Sequence, residues 1–220
     1  LVGSEMCIRD SKEVEQNTLT ALKKFESLGC QVTEVKLNWK KDEVNSVCFS
    51  HYANSFYKEI SELSDSEKEQ LSDYTKMFSG VTEMHIDSLK NNKKIYHEQI
   101  GAHLGYGVEE SAMVTGKMYE EIGPILEKYD LFICPTNALP AIKADIDIVN
   151  ERVIINGKEQ ECADFAWCMS HPFNMLGKLP VLSVPSGFSS NQVPTGIQII
   201  SRSYSAVSYT HLTLPTTVSV

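Results

Sequence analysis

Two stretches near the end of the chain, "PVLSVPSGF" (Pro180–Phe188) and "TGIQII" (Thr195–Ile200), are short apolar runs separated by a Ser, Asn and Pro-rich loop. Runs of that length bounded by turn-forming residues predict two buried strands. Upstream, "LFICP" (131–135) is almost wholly apolar, the pattern of a strand covered on both faces. Three such strands need helices to cover them, and the rest of the chain supplies these.

"SKEVEQNTLTALKKFESLG" (11–29) places Val14, Leu19, Leu22, Phe25 and Leu28 at helical spacing, with Gly29 as a C-terminal cap. "CQVTEVKL" (30–37) then alternates through Val32, Val35 and Leu37 as a strand, completing an α/β unit. Residues 42–100 read as a polar helical insertion, in which Ser64 and Glu67 form a capping box and Gly80 and Asn91-Asn92 are expected breaks. "GVEESAMVTGKMYEEIGPILEKYD" (107–130) resumes a helix, with Pro124 placed to start its last segment. Asn156-Gly157 predicts a tight hairpin, and "ADFAWCMSHPFNMLG" (163–177) a helix interrupted at Pro172. The fold class is therefore α/β: a mixed β-sheet covered by helices on both faces.

A 220-residue chain that is 42% hydrophobic can fill one domain. Its formal net charge of −9 argues against nucleic acid or an anionic membrane as partner, since both call for a basic surface. No apolar run approaches the roughly 20 residues of a membrane span. Six scattered cysteines with no CxxC pair fit reduced thiols and a cytoplasmic location better than a disulfide framework.

The two ends stand apart. Met6-Cys-Ile-Arg-Asp10 can be encoded by ATG TGT ATA AGA GAC, whose reverse complement translates to Val-Ser-Tyr-Thr-His, the peptide at 207–211. One short word read on both strands is the mark of an adapter. Residues 1–11 and 207–220 are accordingly expected to be adapter-like read-through, leaving 12–206 as the domain to be explained.

No catalytic constellation emerges within that segment. Ser55-Phe-Tyr-Lys58 matches SxxK but lacks the SDN and KTG companions, and reads as a polar helix face. Ser183 is expected to point into the interior and Ser186 to sit in a turn, and no GxSxG surrounds either. His51, His85, His97, His103 and His171 include no i, i+4 pair, and Cys162 and Cys168 are six apart, so no metal site is expected. Cys134, ending a strand before Pro135-Thr136, is the best cysteine candidate, yet no base accompanies it. Glycines form neither GxGxxG nor a P-loop, so no nucleotide cofactor is expected.

Taken jointly, four stretches resemble the C-terminal half of the amidase signature family: "TALKKFESLGCQVTEVKL" (20–37), "YDLFICPTNALPA" (129–141), "PFNMLGKLPVLSVPSGF" (172–188) and "VPTGIQIISR" (193–202). The resemblance implies an incomplete amidase-signature fold and a parent enzyme that hydrolyses small-molecule amides without metal or cofactor. It also allows a homodimer of that parent. Family members use a lysine, a bridging serine and a nucleophilic serine in a glycine/serine-rich loop, all in the N-terminal half, so no catalytic residue is carried over to this chain. Thr136, Asn137, Phe173 and Asn174, at strand ends and loops of the matching blocks, are the expected substrate-pocket wall. The family's tRNA-dependent amidotransferases have an aspartate seven residues before the block's asparagine; here that place is Trp167. They also have an arginine in the helix before the Pro-Thr strand, and 105–128 has none. A neutral or apolar amide is the expectation. The alternatives are part of such an amidotransferase, an allophanate-type hydrolase, or a truncated chain with no catalysis.

Overall fold

The computed structural model describes residues 2–3, 11–147, 149–160 and 164–205. The remaining residues of the two ends expected to be adapter-like, with Cys7 and His211, and likewise Cys162, lie outside the described residues. A five-stranded mixed sheet runs in the order β2-β1-β5-β9-β8, built from β1 (Val2–Gly3), β2 (Glu34–Val35), β5 (Phe132–Pro135), β8 (Val181–Phe188) and β9 (Pro194–Ile200). β1 pairs parallel with β2 and β5, whereas β9 runs antiparallel to both β5 and β8.

Alternation along the central strands sorts the core into two layers. Ile133, Ile197 and Ile199 point to one face and meet Leu22 of helix α1 (Lys12–Ser27). Phe132, Cys134 and Ile200 point to the other, against helices α2 (Lys41–Ser61), α5 (Val108–Lys128) and α6 (His171–Met175) through Val44, Val47, Met118, Ile122 and Phe173. Each of these fully buried large side chains contributes roughly 1.5–3 kcal/mol from apolar surface removed from water. A third apolar cluster lies off the sheet, where Phe49 and Ala53 of α2 pack with Val81 of α4 (Asp73–Lys90), Phe165 and Met169.

Several elements follow their local sequence. Ser11 caps α1 by accepting from the Val14 N–H at 3.4 Å, and Gly29 beyond its end sits at φ +90°. Glu67 of the short α3 (Asp65–Glu69) accepts from the Ser64 N–H at 2.8 Å, as a capping box should. Asn156 and Gly157 at φ +51° and +77° join β6 (Ile154–Ile155) to β7 (Lys158–Glu159).

Other expectations need correction. The buried stripe of α1 is Val14, Thr18 and Leu22, while Leu19 is 45% exposed and Leu28, the C-cap one residue past the helix, is 81% exposed. Gly80 lies inside α4 without breaking it, held by the flanking contacts of α4 with α2. α5 runs unbroken through Pro124. Residues 95–100, the end of the stretch read as helical, instead open a hairpin of β3 (Ile95–His97) and β4 (Ala102–Leu104), with Ala102 and Leu104 fully buried. Pro172 does not interrupt a helix but starts one, taking the first turn of α6, where its missing N–H costs nothing. β8 is an edge strand, not a buried one: Val181 is 42% and Phe188 62% exposed.

Candidate functional site

The loop leaving β5 and the segment before α6 are zipped together. Met169 N–H donates to the Thr136 carbonyl at 3.1 Å and Ala138 N–H to the Trp167 carbonyl at 2.8 Å, with an antiparallel bridge between Asn137 and Cys168. Gln198, buried on β9, fastens both: its Nε2 donates to the Pro135 carbonyl at 3.0 Å and the Met169 carbonyl at 2.9 Å. Two buried carbonyls that the strand ladder does not reach are thereby satisfied. The result is a fixed backbone that presents Trp167, Cys168 and His171 to one side.

That side is a cleft of about 680 Å³. Its floor comes from Phe165, Trp167, Cys168 and His171, and its walls from Tyr52, Phe56 and Ile60 of α2 and Tyr74, Thr75 and Phe78 of α4. The rings are mutually braced: Phe165 lies 4.9 Å from His171, and Tyr52 meets the same imidazole edge-on at 6.1 Å. No lysine, arginine, aspartate or glutamate lines the cleft among the described residues. The volume and lining suit an apolar or aromatic ligand body of small-molecule size.

Cys168 is the chemically distinctive group here. Burial, the largest influence, pushes its thiol up; the hydrogen bond and charge of His171 and the hydrogen bonding of Ser170 pull it down, and the balance lies at about 7. Ser170 Oγ stands 3.2 Å from Cys168 Sγ. Cys48 on α2 goes the other way: burial, then the neighbouring Cys168, push it up to about 12, so it stays a neutral thiol.

The four residues expected as pocket wall are scattered. Thr136 shares a hydrogen bond with Ser183, Oγ1 to Oγ 3.2 Å, and Asn137 sits at the bridge to Cys168, so both adjoin the cleft floor without lining it. Phe173 is 4% exposed and packs its ring against Trp39 at 5.7 Å and Phe132 at 5.8 Å, a core role. Asn174 is exposed, its N–H bonded to the Ser170 carbonyl. Ser183, expected in the interior, is exposed because it lies on the edge strand. Ser186 bonds Thr195 at 2.8 Å, and Ser55 donates to the His51 carbonyl at 2.8 Å; the Lys58 side chain lies outside the described residues. Cys134 is buried packing. Reading by spacing set Cys168 aside because Cys162 was the wrong distance away; the usable signal was Ser170-His171 immediately after it.

A mixed sheet between helical layers, with an apolar cleft beside the Pro-Thr loop, defines an α/β scaffold that carries a small-molecule-sized pocket. The Amidase family model matches residues 4–207, and the chain belongs to the amidase (amidase signature) family. Among curated relatives, a glutamyl-tRNA(Gln) amidotransferase subunit from Oceanobacillus iheyensis is 25% identical over 207 residues, covering 86% of this chain and 38% of that protein. The acylamidase of Rhodococcus erythropolis is 24% identical over 191 residues, covering 86% and 35%. In three dimensions a bacterial aryl acylamidase of the amidase signature family aligns with TM-score 0.68 at 18% identity, covering 94% of this chain and 41% of that one. The chain thus spans well under half the length of these relatives. No helix among the described residues is long and apolar enough to cross a membrane.

Proposed function

We propose that this chain is the substrate-pocket half of an amidase that hydrolyses neutral, apolar carboxylic amides to acid and amine, its Ser-Ser-Lys machinery lying in a preceding part of the protein. In that mechanism a serine activated through a proton relay attacks the carbonyl, and backbone N–H groups stabilise the oxyanion of the acyl-enzyme path. No metal or cofactor is needed for it. The observation that carries the reading is the cleft: ten lining residues, seven of them apolar or aromatic other than histidine, and no charged side chain to grip an amino acid's carboxylate or ammonium. Trp167 in its floor holds the sequence place where the resemblance puts the aspartate of the tRNA-dependent amidotransferases.

The test is a series of 4-nitroanilides from acetyl to octanoyl, assayed on the longer protein that contains this segment. kcat/KM is expected to rise along the series, and Phe56→Asp to lower it about tenfold for octanoyl while leaving acetyl nearly unchanged, the effect of losing one apolar wall. Phe56 is half-exposed, so the substitution is tolerable for folding. Preference for glutamine, with ammonia passed to misacylated tRNA, would instead establish the amidotransferase reading favoured by the Oceanobacillus relative.

A further inference from the structure

The amide mechanism has no use for a cysteine, yet the cleft floor carries one with a base beside it. Cys168 Sγ, Ser170 Oγ at 3.2 Å and His171 form one polar cluster, and Cys168 and His171 both line the 680 Å³ apolar cleft. The backbone holding them is fixed by the Met169–Thr136 hydrogen bond and the Gln198 clamp, so the pair is set in place before any ligand arrives. We propose that Cys168 is a nucleophilic thiol, served by His171, that captures soft electrophiles carried on an apolar or aromatic body, such as α,β-unsaturated carbonyl compounds, and that the adduct fills the cleft.

The step balances without a further reagent. The thiol proton passes to His171, and the thiolate forms an S–C bond to the β-carbon of the alkene. The π pair moves onto the carbonyl as an enolate, and the α-carbon then takes the proton back from His171, with no leaving group and no change of oxidation state beyond the addition. The titratable groups facing Cys168 are His171, Cys48 and Tyr52 from α2 and Tyr74 from α4. Cys48 is held neutral by burial, so it is His171, together with the hydrogen bonding of Ser170, that favours the Cys168 thiolate against its own burial. The proposal stands apart from amide turnover, because the reaction is read by mass on this chain alone.

The experiment is a competition between N-phenylmaleimide and N-ethylmaleimide on the full 220-residue chain, with peptide mapping of Cys168 and of the solvent-exposed Cys30. At Cys168 the phenyl reagent is expected to win by about tenfold over its advantage at Cys30, from ring burial in the cleft. The rate at Cys168 should inflect near pH 7, whereas in urea the same thiol should inflect near the ordinary value of about 8.5. His171→Gln should move the folded-state inflection upward while leaving the phenyl preference intact. Equal reagent preference at the two cysteines overturns the proposal, as does an inflection that urea does not move. Because the comparison is made within the unsubstituted chain, a poorly folding variant does not blunt it.

Discussion

At the level of single residues, the chemistry is carried by groups whose partners are remote in sequence. Gln198 falls inside "TGIQII" and looks like one polar interruption of a strand; its role needs the carbonyls of Pro135 and Met169, 63 and 29 residues away. Cys168 needed only its own neighbours Ser170 and His171 to be found, and a search for metal spacing passed over them. Phe173 and Asn174 differ in placement because adjacent residues on a short helix point in opposite directions, one into the core and one to solvent. His85 shows the same dependence on tertiary context and makes a prediction. It is fully buried, its Nδ1 accepts from the Gly105 N–H at 3.2 Å, and its ring meets Phe49 at 5.7 Å. Burial holds its pKa below the ordinary histidine value, and His97 is lowered by burial in the same sense, with Glu98 opposing. The folded state therefore binds fewer protons than the unfolded state between the lowered pKa and about 6.5. Stability is full above about pH 6.5 and falls as pH drops through that window. Tm measured from pH 8 to 5 should decline below about pH 6.5, and His85→Asn, which keeps an acceptor for Gly105 but cannot titrate, should flatten most of the decline. An unchanged slope in His85→Asn would assign the pH dependence elsewhere.

At the level of elements, legibility tracked how local the signal was. Caps and tight turns were read correctly at Ser64-Glu67, Gly29 and Asn156-Gly157, because each is decided within four residues. β5 and β9 were read from their apolar runs. The β3–β4 hairpin was not, since its strands are three residues each and depend on packing against α2 and α4. Likewise nothing in "PVLSVP" distinguishes an edge strand from a central one: that depends on what pairs on its far side. The link from β4 to α5 offers a sharp test. Gly105 sits at φ +87°, and a Cβ there would lie 2.2 Å from the Lys93 carbonyl oxygen and 3.2 Å from Ser88 Cβ. Backbone oxygen cannot swing aside, so Gly105→Ala combines a left-handed conformation with a collision. It should cost about 2–4 kcal/mol in urea denaturation. Gly80→Ala, in open space on α4, should by contrast raise stability by about 0.5–1 kcal/mol. A Gly105→Ala variant as stable as the parent chain would mean that the hairpin and α4 are free to part.

At the level of the whole molecule, the proposed reading separates the pocket from the catalytic serine. Turnover of an amide needs a serine within reach of a base and donors for the oxyanion. Each candidate serine is engaged otherwise: Ser55 on a helical carbonyl, Ser183 on Thr136, Ser186 on Thr195. Cys168 has a base, but amide cleavage by a thiol also requires oxyanion donors aimed at the scissile carbonyl. The family relatives are more than twice this chain's span, which leaves room for a complete Ser-Ser-Lys site in the portion it does not match. The expected result is that the purified 220-residue chain releases no 4-nitroaniline from octanoyl-4-nitroanilide above the buffer rate. It should nonetheless bind that anilide in the apolar cleft and protect Cys168 from N-phenylmaleimide in proportion to occupancy. Binding with no turnover places pocket and chemistry in separate halves of one enzyme. Turnover by this chain that survives Cys168→Ser would put a serine site among residues 1–220, and turnover abolished by it would make the thiol itself the catalyst.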